Sequence, residues 1–165
     1  MWSVISGVAN LVALAFAPSF YPDWYFLLVA IGYGLLLPAI ANLHVRHQPL
    51  RASGAVLGTA AGTASITVGI AASANFDLVV AALFIRGIWW WTIGKLWAET
   101  SVMPRLFGIA TMVLAVLAFG AAIASAPMAM ESGAIWMTER LILGLWTLVL
   151  AFGLWRAQSG ISSGG

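Results

Sequence analysis

Apolar and polar positions do not alternate along this chain. Apolar residues instead run together in long continuous stretches, set apart by short clusters of Pro, Gly and charge, and six such stretches stand out: Trp2–Ala17, Trp24–Leu43, Gly54–Ser73, Phe76–Ala98, Leu106–Ala126 and Ala134–Trp155. A helix rises 1.5 Å per residue, so about 20 residues cross the hydrocarbon core of a bilayer. All six stretches meet that requirement, the first at its lower limit. Spanning β-strands need alternating segments of about ten residues, which these runs are not. The pattern predicts an all-α polytopic transmembrane bundle of six spans, one domain over residues 1–158 followed by a Ser/Gly tail at 159–165. The expected connections are short: Pro18–Asp23, His44–Arg51, Ala74–Asn75, Glu99–Arg105 and Pro127–Gly133.

Composition agrees. Of the 165 residues, 62% are apolar and 7% charged, whereas a soluble domain carries roughly 25% charged residues. Too few charges exist to cover a core in water, so lipid is the expected solvent. The net charge of +2 gives no footprint for nucleic acid, and the absence of cysteine excludes disulfides, thiolate metal sites and Cys nucleophiles. Charge placement sets the orientation, because cytoplasmic ends collect Lys and Arg. With the N-terminus inside, Arg46, Arg51, Lys95, Arg105 and Arg156 fall on the inner side and only Arg140 on the outer, together with Asp23, Asp77, Glu131 and Glu139. Both termini are therefore expected in the cytoplasm, in a membrane of the bacterial inner type. Ala15-Phe16-Ala17 resembles a signal-peptidase site, but no basic segment precedes the apolar stretch, and the first run is read as a span.

Arg86 is the charge that the bilayer alone does not explain. Nine residues after Asp77 and twelve before Ala98, it lies about 13 Å from the outer and about 18 Å from the inner end of the fourth span. A charge at that depth costs roughly 2.5–3.5 kcal/mol and faces a partner or a cavity. By depth the nearest partner is Glu139, although an anionic ligand or a neighbouring subunit would also serve. Trp89-Trp90-Trp91 lies too deep for an interfacial belt. Trp89 and Trp90 suit either a planar ligand or a cation–π contact with Arg86.

The third span carries two stripes with a spacing of four, Gly54, Gly58 and Gly62 beside Thr59, Thr63 and Thr67, with Ser65 and Gly69 further along. The glycines form a helix-packing face, within the bundle or against another subunit. The threonines are candidates for the lining of a polar site with Arg86. His44 and His47 share a surface segment with Arg46 and Arg51, which reads as a contact for anionic lipid headgroups or for a partner. Without a third ligand nearby this HxxH is not a metal site. No H-E-x-x-H or phosphate loop is present, and G-x-S-x-G occurs in the Ser/Gly tail at 160–164 rather than as an elbow between a strand and a helix, so the chain does not read as an enzyme. Pro38 is expected to bend the second span.

Trp91-Thr92-Ile93-Gly94-Lys95-Leu96-Trp97, followed by Met103-Pro104-Arg105-Leu106-Phe107-Gly108, resembles a turn of uncharacterised bacterial six-span integral membrane proteins, in which a helix ends in Gly and a basic residue and restarts at Pro-Arg and Gly. The six-span size and Ala9-Asn10-Leu11-Val12-Ala13 are similar to vitamin-binding components of energy-coupling transporters. Two functions follow as expectations. One is a non-catalytic accessory subunit packed against a larger membrane assembly, of the energy-converting or photosynthetic type, or against itself. The other is a small-solute or vitamin-binding or transport component with its site around Arg86, Trp89, Trp90, Glu139 and the threonine stripe.

Overall fold

The computed structural model describes residues 1–16, 23–128 and 132–159. The Ala17 end of the cleavage-like motif, most of the first connection, Glu131 and the tail beyond Ser159 lie outside these. The described residues form helices α1 (Trp2–Phe16), α2 (Asp23–Gly34), α3 (Leu37–His47), α4 (Ala52–Ala74), α5 (Val79–Thr100), α6 (Arg105–Met128) and α7 (Ser132–Ser159), and contain no strand. Five segments are long and apolar enough to cross a membrane: Tyr25–His47, Ala52–Ala74, Val79–Thr100, Arg105–Ser125 and Met137–Arg156. The chain is thus an all-α integral membrane protein. The first run differs from expectation, since α1 has 15 residues and rises only about 22 Å.

The second span is broken where its sequence demands it. Pro38 has no N–H to offer the Gly34 carbonyl, and the chain turns through Leu35 and Leu36 before α3 starts with Pro38 in its first turn. Leu36 N–H donates instead to the Tyr33 carbonyl at 3.0 Å. Helix α3 then runs on through His47, so the connection to α4 begins later than the polar residues suggest. A single 3-10 turn, Phe76–Leu78, joins α4 to α5.

Helix α4 is rich in Gly, Ser and Thr, poor helix formers in water, and still holds 23 residues. In lipid an unpaired backbone group costs several kcal/mol, and that penalty outweighs the propensity. Its glycine stripe is covered by this same chain: Leu96 lies over Gly54, Ile93 and Leu96 over Gly58, and Trp89 with Ile40 over Gly62. The resemblance motif has a similar cause. Gly94 of α5 and Gly108 of α6 cross so closely that a Cβ on either would stand 2.7 Å from the other's carbonyl oxygen. The turn between them is fixed by Ser101, whose φ of 55° is left-handed and whose N–H caps the Trp97 carbonyl.

Helix α1 packs along α7 and α2, α2 and α3 against α4, α4 against α5, and α6 along α5. Ser6 reaches from α1 to donate to the Gly32 carbonyl of α2 at 2.5 Å, and Asn10, also buried, donates to the Ser6 carbonyl. Helix α6 meets α7 at Trp146, whose indole N–H donates to Thr111 at 3.1 Å and whose ring stacks near Phe107 and Trp97.

Candidate functional site

The centre of the bundle is polar. Arg86 of α5 and Glu139 of α7 meet at 2.9 Å, Nη1 to Oε1, with side-chain exposures of 1% and 4%. The Arg86 Nε–H donates to the Ser65 hydroxyl on α4. The Tyr33 hydroxyl, from the last turn of α2 before the break, donates to the second carboxylate oxygen of Glu139 at 3.2 Å. The guanidinium carbon of Arg86 also lies 5.2 Å from the Tyr33 ring centre, 5.9 Å from Trp89 and 5.8 Å from Trp90. Four helices thus contribute to one buried cation and its counter-charge. Low surrounding polarity strengthens each of these contacts and makes the loss of any one partner costly.

Arg140 is the departure from the charge map. Its place in the sequence marks it as an outer-face residue, yet it is fully buried. Its guanidinium carbon lies 5.4 Å from Tyr33 and 5.8 Å from Tyr25. Helix α7 therefore turns both members of Glu139-Arg140 into the protein, and Tyr33 lies between two arginines. Glu139 and Arg140 do not mark the membrane face.

A cavity of about 330 Å³ adjoins the pair, between the N-terminal halves of α5 and α7 and the middle of α6. Leu83, Trp90, Ala118 and Glu139, all buried, form its floor, and exposed Leu117 and Thr138 stand at its rim. Its wall is almost wholly apolar, and Glu139 is the charged residue in it. The volume lies within the range of small-molecule pockets. The cavity exists because α6 leans on α5 while its contact with α7, at Trp146, is further toward the C-terminal end of α7.

Of the residues that the sequence brings forward, Arg86, Trp89, Trp90 and Glu139 come together here. The threonine stripe does not join them. Thr63 and Thr67 are exposed on the outside of α4, where the Thr67 hydroxyl donates back to the Thr63 carbonyl at 3.1 Å. The hydroxyl of Thr59 donates to the Ala55 carbonyl and receives His44 Nδ1–H, each at 2.8 Å. The face of α4 toward Arg86 carries Gly62, Ser65 and Gly69 instead, three and four residues apart. His47 is also turned inward, 2% exposed, with Nδ1–H donating to the Leu43 carbonyl at 2.7 Å. His44 therefore ties α3 to α4 and His47 bonds back to its own helix, so neither points to headgroups, and of this segment half-buried Arg46 and exposed Arg51 remain at the surface. Arg51 pairs with Glu99 at 3.2 Å, and Lys95 approaches the same carboxylate at 3.9 Å. Among the described residues no group of three or more His, Asp or Glu is arranged to hold a metal ion.

Tyr33, Ser65, Arg140 and Trp146 carry weight that the apolar pattern hides. Tyr33 had a local signal, an aromatic hydroxyl between Gly32 and Gly34 just before a helix-breaking proline. Trp146 had none, since its role depends on three helices meeting. Compared with known proteins, the chain matches no family model, no curated protein and no solved structure.

Proposed function

We propose that this chain is a non-catalytic six-span protein of the cytoplasmic membrane, with both termini inside, that binds a small, largely apolar molecule in the cavity beside Arg86 and Glu139. One observation carries the reading: the mid-membrane ion pair does not lie sealed within helix packing, because its carboxylate residue forms the polar part of an apolar cavity. Intramembrane charges mark functional sites by default, and an apolar pocket with one convergent polar group is the usual form of a ligand site. The six-span topology is supported by α1, which lies along α7 despite its length, and by the excess of Arg and Lys at the inner ends. Purification in mild detergent followed by mass analysis tests the function. About one apolar molecule retained per chain supports it, whereas a chain empty of small molecules overturns it.

A second reading, an accessory subunit of a larger assembly, is favoured by Trp91. It is 46% exposed in the middle of α5, too deep for an interfacial belt, beside exposed Leu57 and half-buried Ile88 and Phe119. A partner helix seated there would be retained in the same purification and identified by its mass.

A further inference from the structure

The cavity beside Glu139 also constrains the chemistry of its occupant. This inference rests on the reading that the cavity binds a ligand. Its rim faces the flank of the bundle, not either end, and Leu114, Leu117, Ala121, Ile135 and Ile142 line the approach. All five are apolar, and Thr138, the other rim residue, is uncharged. A water-soluble solute would have to shed its hydration to pass them, while a molecule already dissolved in the bilayer would not.

The polar end of the cavity then selects among lipid-phase molecules. One oxygen of the Glu139 carboxylate pairs with the Arg86 guanidinium and the other accepts from Tyr33. An ionised carboxylate offers about four lone-pair sites, so it can accept from a further donor. Trp90, buried and lining the same cavity, gives it aromatic surface. The site thus presents an acceptor at the end of an apolar wall, and an uncharged hydroxyl donates to it. A carboxylate headgroup would meet the Glu139 charge in a medium of low polarity, and a quaternary ammonium has no proton to give and would compete with the Arg86 guanidinium.

We propose that the occupant is a neutral amphiphile bearing a hydroxyl at the end of an apolar body, taken laterally from the bilayer between α6 and α7. The test uses full-length protein in lipid nanodiscs and three brominated probes of equal chain length, 12-bromododecanol, 12-bromododecanoate and the 12-bromododecyl trimethylammonium ion (chain length about that of a pocket-sized ligand). The readout is the saturable part of tryptophan quenching, which is the part lost in Ala121→Trp, a substitution at the half-buried rim. The alcohol is expected to bind at least about tenfold more tightly than either charged probe, and Glu139→Gln is expected to bring the acid to within about threefold of the alcohol. If Glu139→Gln does not fold, Arg86→Met/Glu139→Leu serves in its place and should likewise bring the acid to within about threefold of the alcohol. An acid or ammonium probe that saturates as tightly as the alcohol overturns the inference and leaves the cavity as a binding site. No saturable quenching by any probe overturns both.

Discussion

Arg86 and Glu139, 53 positions apart in the chain, close an ion pair of 2.9 Å inside the helix bundle. Removing one member leaves the other charged and buried, which costs about 3–5 kcal/mol, whereas replacing both with apolar residues of similar volume is close to neutral. Arg86→Met and Glu139→Gln should therefore each lower the thermal unfolding midpoint strongly, and Arg86→Met/Glu139→Leu should recover most of the loss. If Glu139→Gln leaves stability untouched while Arg86→Met abolishes folding, the pair does not carry the energy assigned to it.

Tyr33 is held to a smaller effect. Tyr33→Phe deletes the hydroxyl that donates to Glu139 at 3.2 Å but keeps the ring beside both arginines. A hydrogen bond to a charged group contributes about 1.5–3 kcal/mol. The substitution should lower stability by less than Arg86→Met does, measured by unfolding in the same detergent; an equal loss would place the main energy in the hydroxyl.

The crossing of Gly94 and Gly108 makes a steric prediction. A Cβ at either position would approach backbone, which cannot turn aside, so Gly94→Ala and Gly108→Ala should each destabilise by about 1–3 kcal/mol. Gly120→Ala meets open space and should change little. A thermal melt of the three variants side by side checks this, and equal midpoints would contradict the close approach of α5 and α6.

Thr63 and Thr67, exposed on α4, should be dispensable. Replacing both with Val should move stability by no more than about 0.5 kcal/mol and leave probe binding unchanged, since surface changes away from caps and networks stay in that range. A loss of quenching in this double variant would return the threonine stripe to the site.

These contrasts show what could be read from the chain. The apolar runs placed the long helices to within a few residues, because a bilayer imposes both length and composition on whatever crosses it. Depth along the helix was enough to single out Arg86 and to pair it with Glu139. Rotation about the axis was less legible. Thr63 and Thr67 point outward and Arg140 inward, and neither follows from distance along the chain. Low charge in the sequence marks lipid as the solvent but leaves both faces of a helix apolar, so amphipathic periodicity, which fixes rotation in a soluble bundle, is weak here. The cavity was hidden for a related reason: it arises from α6 leaning on α5 rather than on α7, a relation among three helices that no single segment records.

The amount of apolar molecule retained per chain by the wild type and by Ala121→Trp, purified identically and both folded by their thermal melts, tests the central claim most directly. The account predicts about one molecule per chain in the wild type and a loss of that molecule when the tryptophan fills the rim of the cavity. The same molecule at the same level in both proteins would contradict it.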